Sequence, residues 1–125
     1  MKSNFPNVTD YKIVLTVKSL NERGYYPLPE GVLKILSGHI DEETEQFQDL
    51  STFQSLISFN SKQVSRLINM LVRYHYLGKK YDSETDKLYL MITDKGEAFL
   101  LEYKRKHRVN LGKHTKVFKK TIVKI

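Results

Sequence analysis

The chain contains no cysteine, which excludes a disulfide framework, a thiol nucleophile and a cysteine-bound zinc. It has no apolar run of about 18 residues, so no membrane-spanning helix is expected. Its opening residues, MKSNFPNVTDYK, lack the apolar core of a signal peptide. The four histidines, His39, His75, His107 and His114, are too scattered to form a metal set. An acidic cluster at Asp41, Glu42, Glu43, Glu45 and Asp49 lacks the alternating oxygens and central glycine of a calcium loop, and reads as a solvated loop. No Ser-His-Asp or paired-carboxylate arrangement stands out. The chain is therefore read as a non-enzyme without cofactor or metal, in one cytoplasmic, nucleoid-associated domain of 125 residues.

Acid is missing from the C-terminus. After Glu102 there are nine Lys/Arg and no Asp/Glu, whereas the preceding 102 residues hold twelve Lys/Arg and fourteen Asp/Glu. The whole excess of +7 thus sits in the last stretch. A polyanion partner is implied, nucleic acid ahead of an acidic membrane surface.

The apolar pattern divides the chain into a flexible N-terminus (1–8), a folded domain (9–103) and a basic C-terminal tail (104–125). Thr9 or Asp10 can cap a first helix over Tyr11–Arg23, with Tyr11, Val14 and Leu15 facing inward and Ile13, Val17 and Leu20 as further core candidates. Pro29 suits the first turn of a second helix, Pro29–Ser37, which Gly38 stops. A third helix is expected near Glu45–Leu56, followed by a turn at 57–59, so that it forms a helix-turn-helix with the next element.

That next element is the most informative. In NSKQVSRLINMLVR, the apolar residues Val64, Leu67, Ile68, Leu71 and Val72 recur at three- and four-residue intervals on one helical stripe. Asn60 or Ser61 can cap it, and Gln63 has capping-box spacing from Asn60. The polar face carries Lys62, Gln63, Ser65, Arg66, Asn69 and Arg73, residue types that bond phosphates and base edges. Gly78 is read as the helix stop. Beyond it, alternation around Ser83-Glu84-Thr85-Asp86 predicts a hairpin bearing Lys79, Lys80, Tyr81, Lys87 and Tyr89. Leu88, Leu90 and Ile92 fall on one strand face, and Tyr89 and Met91 on the other. Thr93 can cap a last helix from Asp94 to about His107. The fold class that results is mainly α with a small β-hairpin wing, a winged helix-turn-helix.

In order and motif, the chain resembles the RQC domain, the winged-helix module found C-terminal to the core of RecQ-type DNA helicases. The resemblance rests on TDYKIVLTVKSLNERG, VLKILSGH, LSTF, VSRLINMLVRYHYL and LYLMITDKGEAFL, and spans residues 9–101. It implies binding to duplex ends, forks or junctions, with Asn60, Ser61, Lys62, Ser65 and Arg66 gripping the phosphate backbone. Tyr81 and Tyr89 stand nearest the wing aromatic that wedges a terminal base pair in some members. The short tip here has no aromatic, which argues against strand separation. No Gly-x-x-x-x-Gly-Lys-Ser/Thr phosphate loop occurs, so the chain cannot drive unwinding by itself. The picture is of a free-standing bacterial or phage accessory protein.

The expected DNA interface comprises Asn60–Gln63, Ser65, Arg66, Asn69 and Arg73 from the helix, and Lys79, Lys80, Tyr81, Lys87 and Tyr89 from the wing. Lys104, Arg105, Lys106 and Arg108 of the tail strengthen attachment through charge. Two alternatives stay open: a sequence-specific transcription regulator, and a winged-helix module for protein contacts. A replication, repair or transcription protein is a further partner class. The sequence leaves monomer and homodimer undecided.

Overall fold

The computed structural model describes residues 6–56 and 60–107. Among these residues four α-helices, α1 (Val8–Glu22), α2 (Pro29–Ser37), α3 (Ser61–Arg73) and α4 (94–107), accompany one antiparallel hairpin of β1 (Leu77–Asp82) and β2 (Lys87–Ile92). This is the mainly helical winged-helix arrangement expected. None of the helices among the described residues is long and apolar enough to cross a membrane.

Helix α1 starts three residues before its expected first residue, because the cap is Asn7 rather than Thr9 or Asp10. Asn7 Oδ1 accepts from the Thr9 and Asp10 amides, and Asp10 Oδ2 accepts from the Asn7 amide at 2.8 Å, closing a capping box. Helix α2 has the predicted bounds, with Pro29 in its first turn and Gly38 left-handed at φ +81°.

The expected helix over Glu45–Leu56 is absent. A single 3-10 turn, Glu45–Phe47, leads into successive turns. The reason is where the backbone amides go. Gln54 N–H donates at 2.8 Å to the Ile35 carbonyl, which also takes the Gly38 N–H at 3.2 Å, and Leu56 N–H donates at 2.8 Å to the Leu36 carbonyl, so these amides serve the end of α2 rather than a helix of their own. Thr52 is buried and hydrogen-bonded to the Thr16 hydroxyl at 2.6 Å, while Ser55 Oγ donates to the Thr52 carbonyl. Such side-chain bonds compete with a helix. The expected turn at 57–59 lies outside the described residues. Helix α3 therefore packs against α2, and 45–56 is the connection between them.

One core joins the helices to the hairpin: Ile13, Val14 and Val17 of α1, Val32 and Leu36 of α2, Val64, Ile68 and Leu71 of α3, Leu77, Leu90 and Leu100. Burial of each such side chain contributes about 1.5–3 kcal/mol. A smaller cluster of Leu20, Ile35, Phe47 and Leu50 lies under the connection.

Gly78 is not the stop of α3. The helix ends at Arg73, and His75 takes the left-handed conformation at φ +70°. Tyr76 N–H then reaches the Leu71 carbonyl at 2.8 Å and His75 N–H the Val72 carbonyl at 3.1 Å, the paired bonds of a Schellman motif with histidine where glycine is usual. Gly78 lies inside β1.

Hairpin register pairs Leu77 with Ile92, Lys79 with Leu90, Lys80 with Tyr89, Tyr81 with Leu88 and Asp82 with Lys87. The outer edge of β2 is not bare. Leu90 N–H donates to the Pro27 carbonyl at 2.7 Å, and Ile92 N–H to Asn21 Oδ1 at 2.9 Å. Asn21 Nδ2 in turn bonds the Tyr25 carbonyl. The Tyr25–Pro27 connector thus lies along the hairpin like a third strand. Thr93 caps α4 as expected, its Oγ1 accepting from Gly96 N–H at 3.0 Å.

Two backbone positions give opposite expectations. A Cβ on Gly96 would overlap the Tyr76 carbonyl oxygen and stand 2.9 Å from Ile92 Cγ1. Gly96→Ala should therefore lower the unfolding free energy by about 1–3 kcal/mol or more, whereas His75→Gly, relieving a left-handed residue with an exposed side chain, should raise it by about 1 kcal/mol. Urea denaturation of the two variants checks both signs.

Burial pushes the Asp10 carboxyl above its ordinary value of 3.8, and Oδ1 has no hydrogen-bond partner among the described residues. The folded chain then holds a proton that the unfolded chain releases, so this contribution is full below pH 3.8 and is lost as pH rises through the raised value. Unfolding free energies of wild type and Asp10→Asn, measured side by side, should diverge in favour of wild type as pH falls through that window. A difference independent of pH would show that Asp10 does not titrate there.

Candidate nucleic-acid interface

The start of α3 is built by reciprocal bonds: Gln63 N–H donates to Asn60 Oδ1 and Asn60 N–H to Gln63 Oε1, both at 2.9 Å. The Asn60 and Gln63 amides are occupied by each other's side chains, and the Gln63 carbonyl oxygen is held in the cap. Among the described residues the Ser61 and Lys62 amides have no recorded acceptor, and they lie at the positive end of the helix dipole. No acidic residue stands in that first turn.

From there a shallow, open groove runs along the helix, lined by Ser61, Lys62, Ser65, Arg66, Asn69, Met70 and Arg73. The structure therefore brings Lys62, Ser65, Arg66, Asn69 and Arg73 together on one stripe, opposite the buried Val64, Ile68 and Leu71. Met70 joins them, which the polar pattern had no reason to include.

The wing residues do not share one face. Lys79 and Tyr81 lie on the side whose inner end, Leu77 and Leu90, is packed on the helices; Lys80, Lys87 and Tyr89 lie on the other. Both tyrosine hydroxyls are engaged by the tip. Tyr81 donates to Asp86 Oδ1 at 2.7 Å, a bond that raises its pKa, and Tyr89 Oη lies 2.9 Å from Thr85 Oγ1. Their rings remain available, Tyr81 with 57% of its surface exposed. Tyr76, by contrast, packs on Phe99 at 5.3 Å between ring centroids.

Charge pairing separates most of the described cations into two groups, while Lys12 and Lys95 bond the Ser55 and Tyr74 carbonyls instead. Lys18 bonds Glu97 at 2.7 Å and Glu22 at 3.1 Å; Arg23 bonds Asp49 at 2.7 Å; Lys34 bonds Asp41 at 3.0 Å. On α4, Arg105 and Lys106 are drawn to Glu102 at 2.7 and 3.7 Å. These contacts hold the Asp41, Asp49 and Glu102 carboxyls below their ordinary range; for Asp41 the Thr44 amide is the largest cause and Lys34 the next. Lys62, Arg66, Arg73, Lys79, Lys80 and Lys87 are all exposed and make no ion pair with any described residue. The sequence carries the reason in a feature easily overlooked: no Asp or Glu occurs between Asp49 and Asp82. Lys104 is exposed on α4, and Arg108 lies outside the described residues.

The acidic cluster is a structural loop. Asp41 Oδ1 accepts from the Glu43 and Thr44 amides at 2.9 Å, and Oδ2 faces Lys34. Among the described residues no three His, Asp or Glu side chains converge in a way that could hold a metal ion.

No curated protein matches the chain. The family model of the RQC domain matches residues 11–120, running from α1 through the hairpin and α4 and on into the lysine-rich stretch that follows. RQC domains are non-catalytic winged-helix modules of helicase C-terminal regions, a family that suggests nucleic-acid binding. With its helices, hairpin and nearly its whole length accounted for by that match, the chain belongs to the RQC domain family.

Proposed function

We propose that this protein binds duplex or structured DNA chiefly through the phosphate backbone. The observation that carries this reading is the set of six exposed cations on α3 and the hairpin without an ion pair to a described residue, where five of the eight other described Lys/Arg side chains are paired with acids. Phosphates seat at the Ser61 and Lys62 amides and against Lys62, Arg66 and Arg73. Lys79, Lys80 and Lys87 extend the contact along the wing. Lys104 and Arg108 add charge from the C-terminal stretch, as do Arg105 and Lys106 once Glu102 releases them. Arg66, Asn69 and Arg73 share the groove, so base readout in the major groove would come from these three.

Engagement of about six cations sets a slope near −5 for log affinity against log salt on duplex DNA. The double variant Lys62→Ala/Arg66→Ala should bind more weakly at every salt concentration and shallow that slope by about 2. Fluorescence anisotropy on a labelled duplex across a salt series measures both. Lys34→Ala, which removes a cation paired with Asp41 and Glu43, should leave the slope unchanged. Equal slopes for wild type and the double variant would remove the support for this interface.

A further inference from the structure

Helix α4 packs one stripe on the fold and leaves the opposite stripe bare. Gly96 and Leu100 are buried, and Phe99 and Tyr103 meet the Tyr11 ring of α1. Across the helix, Asp94, Ala98, Leu101 and Arg105 are all exposed. Successive members of this set are four, three and four residues apart, the spacing of a helix-pairing seam. Leu101 is 71% exposed, more than any other large hydrophobic side chain among those described.

The charges around that leucine are ordered. Laid antiparallel against a second copy of itself, α4 sets Leu101 on Ala98 of the second copy in both central layers, a large side chain against a small one. The same register sets Asp94 opposite Arg105 at both ends of the seam. It brings Lys95 beside Glu102 on one flank and Glu97 beside Lys104 on the other, again with opposite signs. Parallel pairing would instead stack Asp94 on Asp94 and Arg105 on Arg105. It would also bring together the two stretches after Glu102 that hold the excess of positive charge, whereas the antiparallel register holds them about 18 Å apart.

The ends of the seam are able to pair in this way. Asp94 makes no ion pair with any described residue. The Arg105 side chain is 67% exposed in its contact with Glu102, and a guanidinium has donors enough for a second carboxylate. The flanking pairs are secondary, because the Lys95 ammonium also bonds the Tyr74 carbonyl and Glu97 bonds Lys18.

We infer that two copies of this chain associate through α4 in this antiparallel, two-fold symmetric register. The inference is independent of the proposed DNA binding. Two central layers make a short seam, so the dimer is weak, with a Kd on the order of 0.1 mM.

Sedimentation equilibrium of the full chain, from about 10 µM to about 1 mM, tests it. Wild type should pass from monomer toward dimer across that range, and Leu101→Glu should weaken association by about tenfold or more. Asp94→Arg carries cations at both ends of the seam and Arg105→Asp carries anions at both, so each alone should dimerise about tenfold more weakly. An equimolar mixture of these two variants should recover wild-type association, since every cation then meets an anion. Far-UV circular dichroism of each variant checks that the helices are kept. A wild type that stays monomeric throughout, or a dimer that Leu101→Glu leaves intact, overturns the inference. A mixture no more associated than its two components overturns the antiparallel register.

Discussion

A lysine or arginine with no carboxylate in reach must take its counter-charge from solvent ions or from a partner, and six of the nine such residues among those described stand on one helix and the hairpin that follows it. Elsewhere the acids are used within the fold. Asp41 closes a loop and holds Lys34, Asp49 holds Arg23, and Glu97 ties Lys18 of α1 to α4. Exposed pairs of this kind add little to stability, a median of about 0–1 kcal/mol. Their larger effect is on the field around the molecule: charge is cancelled on one part of the surface and left standing on α3 and the wing. Condensed counter-ions on a nucleic acid are released when such cations replace them, and on the proposed reading that release would turn this asymmetry into binding free energy.

Position matters as much as charge. The capping box at Asn60 and Gln63 consumes two amides, and the two between them, Ser61 and Lys62, have no recorded acceptor among the described residues. The wing is held by contacts remote from its tip. Asn21 and Pro27 occupy the edge of β2 and Leu90 is buried in the core, so the lysines of the hairpin extend from a supported base. Gly96 permits the turn from β2 into α4 to pass against the Tyr76 carbonyl, which joins the end of the wing to the end of α3.

Much of this was legible in the residues because it is local. The α3 stripe follows from apolar spacing and its cap from the Asn60–Gln63 interval; the two faces of the wing follow from strand alternation. What was not legible depends on distant partners. The segment 45–56 has apolar spacing that suits a helix, yet its amides serve carbonyls of α2 some twenty residues earlier. Gly78 invited the reading of a helix stop, but His75 accepts the left-handed conformation and the helix closes sooner. Thr9 and Asp10 are cap residue types nearer the apolar stripe than Asn7, yet Asp10 at the third position of the helix is half of the capping box that Asn7 closes. Tyr26 gains its place only through the pairing of Pro27 with Leu90, which no pattern within the connector announces.

The most direct test of the central claim is a residue-resolved map of where DNA touches the folded chain. Backbone amide chemical shifts recorded by two-dimensional NMR during titration with a short duplex provide it. The account predicts that the Ser61 and Lys62 amides move most, followed by those of Arg66, Lys79 and Lys80, with the 41–49 loop unmoved. Shifts concentrated on that acidic loop or on the exposed face of α1, with the start of α3 silent, would contradict it.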